Sequence, residues 1–229
     1  MQLPQIRIEN VRVQRDERVI LEDINLTLDE QRIGIIGSNG AGKSTLSRLV
    51  NGLVLPTSGR VLIDDRDTAR EAKQIRRDVG FVFQNPANQI IMPIVLDDIC
   101  FGLKNLQIPR AQRKPLALLT LDRLGLGHLA ERESHTLSGG EQQMIALAAV
   151  LAMNPKTIVF DEPTTMLDLR NRNAFRQEIA KLDQQTIVVT HDLELLADFD
   201  RVLVVTDGRI AFDGAPQPAV DHYRQWSHV

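Results

Sequence analysis

The run Gly37-Ser38-Asn39-Gly40-Ala41-Gly42-Lys43-Ser44 fits the pattern G-x-x-x-x-G-K-[ST] and leaves few folds open to this chain. Before it lies RIGIIG at 32–37, a short apolar strand ending in glycine; after it a helix begins at Lys43 (KSTLSRLVNGL). Strand, glycine-rich turn and helix together build a phosphate cradle. The glycines let backbone N–H groups turn toward one concave point, and the helix N-terminus adds partial positive charge. Lys43 supplies a full cation for terminal phosphates, and Ser44 a hydroxyl for Mg²⁺. A glycine turn that merely caps a helix is the ordinary alternative. The strand before and the helix after argue against it, so Gly37, Ser38, Asn39, Gly40, Ala41, Gly42, Lys43, Ser44 and Thr45 form the expected nucleotide site.

The rest of the pattern predicts an α/β fold. Residues 5–13 and 18–29 alternate apolar and polar, which reads as two half-exposed strands of an antiparallel piece. Short strands follow at 60–64 and 79–83. Leucines at 116, 118, 119, 121, 124 and 126 among charges make 109–126 helical, and 141–153 is an apolar helix. Then strand 157–160, helix 170–182, strand 186–190, helix 192–198 and strand 201–205 alternate, as βαβ units of a parallel sheet do. The helical stretch 109–153 reads as an inserted subdomain.

Composition excludes several classes. A chain of 229 residues with 43% hydrophobic and 25% charged residues is an ordinary globular domain, not a coiled coil or a disordered tail. A net charge of −3 disfavours a strongly basic nucleic-acid binder, so no nucleic-acid partner is expected. The lone cysteine, Cys100, allows no internal disulfide and no cysteine-built zinc site, which suits a reducing compartment. The longest strongly apolar run is Met144 to Met153, far short of the ~20 residues a membrane-spanning helix needs. The N-terminal stretch carries charges throughout and lacks a signal-peptide core, so a cytoplasmic chain is expected unless a partner holds it at a membrane.

Strand TIVF runs into Asp161 and Glu162, and the end of a parallel strand opens into the ligand crevice. Asp161 suits Mg²⁺, and Glu162 suits a general base acting on water. Alone, such an acidic end is commonly a solvated loop; the phosphate loop upstream gives it weight. Three more signals follow in order: Gln84 after VGFVF, Leu137-Ser138-Gly139-Gly140-Glu141 before the apolar helix, and His191 after TIVVT. A Ser-Gly-Gly turn at a helix start is a second anion-binding device. Ser138 and Glu141 also fit a capping box, and both readings hold together.

In order and residue type these motifs resemble the ATP-binding subunits of ABC transporters over about residues 5–214. The resemblance implies a P-loop NTPase of ABC type: one domain over 1–229, with a mostly parallel sheet core, an N-terminal antiparallel β-subdomain, and a helical subdomain at about 85–153. It implies ATP and Mg²⁺ as cofactors, and a head-to-tail dimer holding two ATP molecules. Ser138, Gly139 and Gly140 would serve the partner's ATP, and Asp168 in TTMLD would lie at the dimer interface. His191 would contact the γ-phosphate and attacking water; Gln84 would touch Mg²⁺ and sense a membrane subunit. FQNPANQ, from Phe83 to Gln89, followed by DDICFGLKN resembles the energy-coupling factor (ECF) importer ATPases of vitamins and transition metals. That type implies a transmembrane coupling subunit, a small membrane substrate-binding subunit, and a place on the cytoplasmic face of the membrane. Gln89 would lie by the groove that receives a cytoplasmic helix of the coupling subunit, although Val95, Ile99 and Leu103 at i, i+4, i+8 are equally a core stripe. The short segment after Gly208 resembles biotin-importer ATPases more than the longer vitamin-shared ones; cobalt and nickel importers are the alternative.

This chain departs from the family at some positions. Where many members place an adenine-stacking aromatic residue it has Arg15, whose guanidinium plane also stacks on bases. The fifth signature position is Glu141, where glutamine is commoner, and Met144 stands where arginine is common. Two rival readings, a soluble ABC protein and a small-molecule kinase, leave features unexplained. No heptad run long enough for the repair-type coiled coil is present, only one cassette is present, and LSGGE and His191 have no task in a kinase.

Overall fold

Alternating apolar residues give the first strands one buried face each. Strand β1 (Ile6–Arg15) buries Ile6, Ile8, Val11 and Val13, and β2 (Arg18–Leu28) buries Leu21, Ile24, Leu26 and Leu28. They pair antiparallel, from Ile6 opposite Leu28 to Arg15 opposite Arg18 at the hairpin tip. With β4 (Ser58–Ile63) and β5 (Arg66–Asp67) they form a four-stranded sheet in the order β2-β1-β4-β5. The structure, a computed structural model, describes residues 3–227. The first and last positions of the domain expected over 1–229 lie outside the described residues.

The second sheet has six strands in the order β10-β9-β3-β8-β7-β6. Its members are β3 (Arg32–Gly37), β6 (Val79–Val82), β7 (Thr157–Asp161), β8 (Gln185–Val189), β9 (Arg201–Thr206) and β10 (Arg209–Gly214). All neighbours run parallel except the edge pair β9–β10. Strands β6, β7 and β8 are buried throughout, which is why they read as unbroken apolar runs. The expected α/β architecture, with a mostly parallel core and an antiparallel N-terminal piece, is the one observed.

Helix α1 (Lys43–Leu49) leaves the glycine loop and lies against β7 and β8. Between β6 and β7 run α3 (Val95–Asn105), α4 (Arg110–Arg123) and α5 (Gly139–Ala152), which share their own hydrophobic cluster around Ile99, Leu121 and Ile145. Val95, Ile99 and Leu103 are part of that cluster, so the core reading of this stripe holds. Helix α6 (Leu169–Ala180) precedes β8.

Several elements differ from the sequence reading. The helix expected at 192–198 is a single 3₁₀ turn, Leu193–Leu196. The chain there must reach β9 quickly, and Asp200 is fixed by accepting from the Arg32 N–H at 2.8 Å. Helix α2 (Thr68–Asp78) was not expected, because only Thr68 and Ile75 of it are buried and its strongly polar sequence masks the helical spacing of Ala69, Ala72 and Ile75. Strand β10 and helix α7 (Pro216–Ser227) were also unanticipated. Among the described residues no helix is long and apolar enough to cross a membrane.

Candidate functional site

Three strand ends and one helix start meet at a cleft of about 480 Å³. Lys43, Ser44 and Thr45 reach it from α1, Gln84 from the exit of β6, Glu162 from the exit of β7, and His191 from the segment after β8. Asn39, Gly40 and Gly42 complete its floor. The loop holds its shape through glycine. Gly42 has φ +106°, and a Cβ there would sit 2.7 Å from Leu21 Cδ2 and 2.9 Å from the Ile20 carbonyl. At Gly37 a Cβ would run into the Val205 carbonyl. The loop is thereby pressed against β2 and β9.

Lys43 is almost fully buried. Its Nζ donates to the carbonyls of Gly37 at 2.8 Å and Ser38 at 2.9 Å, and lies 3.5 Å from His191 Nε2. Burial pushes its pKa below the ordinary lysine value, while the Glu162 and Asp161 carboxylates pull it back up. The two carbonyls hold the lysine head group at the loop.

Asp161 ends β7 with 2% exposure. Its Oδ1 accepts from the Ser44 hydroxyl at 2.7 Å, and its Oδ2 accepts from Arg48 Nη2 at 2.9 Å. A hydroxyl and a carboxylate this close offer two hard oxygens, a donor set that fits Mg²⁺ completed by phosphates and water. Among the described residues no group of three or more His, Cys, Asp or Glu is arranged to hold a metal unaided.

Glu162 stands beside it in the left-handed region at φ +53°, an uncommon setting for a residue before proline. Its Oε2 accepts from the Thr165 hydroxyl at 3.1 Å and from the His191 backbone N–H at 3.3 Å. Its Oε1 lies 3.0 Å from His191 Nε2. The carboxylate is thus aimed and nearly dry, while its histidine neighbour remains partly open to the cleft.

The other residues picked from the sequence lie elsewhere. Ser138 caps α5: its Oγ accepts from the Glu141 N–H at 3.3 Å, and Glu141 Oε2 accepts from both the N–H and the hydroxyl of Ser138 at 2.7 Å. Those bonds hold the Glu141 carboxyl below its ordinary pKa. Asp168 caps α6 by accepting from the Asn171 N–H at 2.8 Å. Asn171 fills the space over Gly140, where a Cβ would come within 2.5 Å of its Cγ. Ser138, Gly139, Gly140 and Asp168 therefore gather on one patch, and none of them lines the cleft. Arg15 does not line it either; the cleft wall beside the phosphate loop is Arg18 and Ile20. Gln89 accepts from the Phe83 N–H at 3.1 Å, donates to the Ala146 carbonyl at 3.2 Å, and lines a separate apolar groove with Phe83, Ile91 and Phe101.

Sequence reasoning missed Arg48 and Thr165. Both had a spacing signal: Arg48 is four residues beyond Ser44 on one helix face, and Thr165 three beyond Glu162 in a turn.

The profile of the ABC transporter family matches residues 21–165. The chain is 49% identical over 220 residues to the biotin transport ATP-binding protein BioM of Rhizobium etli, covering 96% of this chain and 98% of that protein. It is 43% identical over 205 residues to an energy-coupling factor transporter ATP-binding protein of Caldanaerobacter subterraneus subsp. tengcongensis, covering 86% of this chain and 74% of the relative. Among solved structures it is similar to an ATP-binding cassette in a dimeric post-hydrolysis state bound to ADP and Pi, with a TM-score of 0.81 and 32% identity, covering 92% of this chain and 98% of that one.

Proposed function

The chain belongs to the ABC transporter family, and from that premise we propose that it is the ATP-hydrolysing, energy-coupling subunit of an ECF-type importer, with biotin as the imported solute. The observation that carries this reading is the convergence of Lys43, Ser44, Asp161, Glu162 and His191 on one cleft. Likeness to the ECF protein and to BioM supports the importer type and the solute. The whole chain acts as one ABC ATPase domain, with 85–153 as its helical subdomain.

ATP lies along Gly37 to Thr45, its terminal phosphates facing the Lys43 ammonium. Ser44, Asp161 and Gln84 are the groups that would hold Mg²⁺, which when bound neutralises charge on the phosphates. Glu162 takes the proton of the attacking water, and the Thr165 hydroxyl and His191 N–H keep its carboxylate aimed. The His191 ring, beside both Glu162 and Lys43, orients toward the γ-phosphate and the water. Lys43 stabilises charge as the terminal phosphate departs.

One chain carries a nucleotide cleft and a separate patch of Ser138, Gly139, Gly140 and Asp168. A homodimer that sets each patch over the other copy's ATP uses both, and the dimeric solved relative supports that pairing. Gln84, at the exit of β6, passes closure and reopening to a transmembrane coupling subunit, which works with a small membrane substrate-binding subunit at the cytoplasmic face. Base contact falls to the β1–β2 hairpin, where Arg15 stands opposite Arg18.

The test is a mild-detergent pull-down of the tagged chain from its native membranes. Two different hydrophobic subunits, with biotin bound by the smaller, are expected. Cobalt or nickel bound by the smaller would overturn the solute, and a pair of similar permease subunits would overturn the ECF assignment.

A further inference from the structure

Asp161 has both oxygens engaged within the chain: Oδ1 by the Ser44 hydroxyl and Oδ2 by the Arg48 guanidinium. Arg48 lies on α1 one turn beyond Ser44, so the helix that starts at the phosphate loop also delivers a cation to the acid facing it. We propose that Arg48 is a counter-ion that keeps Asp161 from taking a divalent cation ahead of nucleotide, so that metal enters the site only with the triphosphate. The inference rests on the reading of Ser44 and Asp161 as metal-holding groups.

The charges support it. Around the cleft Arg18, Lys43 and Arg48 are set against Asp161 and Glu162, which leaves the site with a small excess of positive charge. A divalent cation gains little by entering such a site. Nor does the protein offer enough ligands, since no group of three His, Cys, Asp or Glu side chains surrounds the position among the described residues. A triphosphate brings several negative charges and the missing oxygens at once. Arg48 has a way out: its side chain is 39% exposed, whereas that of Asp161 is 3% exposed. Its head group can turn to water when metal takes the Oδ2 side. Arg48 is thus a positioning residue that acts through Asp161 and sets the order of binding.

The measurement is Mn²⁺ affinity of the nucleotide-free full chain, followed by electron paramagnetic resonance. A guanidinium roughly 5 Å from a doubly charged ion, screened nearly as in water, weakens that ion's binding about tenfold. Arg48→Gln should therefore bind Mn²⁺ alone at least about tenfold more tightly than the wild type. Arg48→Met, a second charge-free variant, should do the same. Arg48→Lys keeps the charge without the planar fork and should stay near the wild type. Unchanged affinity in both charge-free variants overturns the proposal, as does an Arg48→Lys variant that binds as tightly as they do. Asp161→Asn with a non-hydrolysable ATP analogue separates the two levels. If it leaves Mn²⁺ affinity intact, the metal role of Asp161 falls and the inference falls with it. If it abolishes binding while the Arg48 variants change nothing, only the inference falls.

Discussion

Replacing Glu162 by Gln removes one proton acceptor and changes little else. The side chain is nearly dry, at 9% exposure, and the amide has the same shape. Its oxygen can still accept from the Thr165 hydroxyl and the His191 N–H, which now lie 3.1 and 3.3 Å from Glu162 Oε2. Its NH₂ would face the His191 ring, where Oε1 now lies at 3.0 Å. The fold and the loop geometry should hold. What is lost is the base, worth about 10²–10⁴ in kcat, or about 3–5 kcal/mol of barrier. Nucleotide affinity should not fall, because a negative charge facing the γ-phosphate has been removed. In the nucleotide-free protein Lys43 loses the larger of its two supporting carboxylate charges, so its pKa should drop further. Phosphate release gives kcat, and equilibrium titration with ATP gives Kd. A kcat within tenfold of wild type, or a Kd that weakens in step with kcat, would show that Glu162 binds or braces rather than acts as base.

Gly42→Ala places a Cβ 2.7 Å from Leu21 Cδ2 at φ +106°, so melting should show a loss of about 1–3 kcal/mol and ATP titration at least tenfold weaker binding. Glu141→Ala removes half of a capping box and should cost about 1 kcal/mol at pH 7. Because Ser138 holds this carboxyl below its ordinary value of 4.5, the contribution is complete above that pH and is lost as the pH falls through the lower native value. Denaturant melts of wild type and variant should therefore converge in acid, and a difference that persists there would refute the linkage. Arg18→Ala should weaken ATP binding several-fold and leave tripolyphosphate binding unchanged, since Arg18 lines the cleft; Arg15→Ala should affect neither, and equal loss for both ligands would place Arg18 on phosphate instead.

The parallel core was legible because β6, β7 and β8 are buried on both faces and so appear as unbroken apolar runs. The first hairpin was legible because it is half-exposed and alternates. Helix α2 was not, because only Thr68 and Ile75 of it are fully buried and the polar residues around its few apolar positions mask their helical spacing. The segment 192–198 shows the opposite failure: Leu193, Leu195 and Leu196 look helical, yet the backbone is spent on reaching β9 after one 3₁₀ turn. Local pattern reports burial, and burial alone does not decide how far a helix runs.

The site divides along the same line. Lys43, Ser44, Asp161, Glu162 and His191 were found because each stands at a strand exit or a helix start, where the chain's own punctuation marks the position. Arg15 was named for its place upstream of the phosphate loop, and linear place does not decide which side chain enters the cleft from a hairpin tip: Arg15 stands opposite Arg18, and of the two Arg18 lines the cleft. Arg18 and Ile20 gain their place from a contact that no linear pattern contains, the Ile20 carbonyl packed against Gly42 on one side and Gly208 on the other. The same closeness ties the base-side wall to the phosphate loop. A substitution that loosens Gly208 should therefore disturb nucleotide binding although Gly208 itself does not line the cleft. Proximity across the sheet edge, rather than motif, carries that coupling.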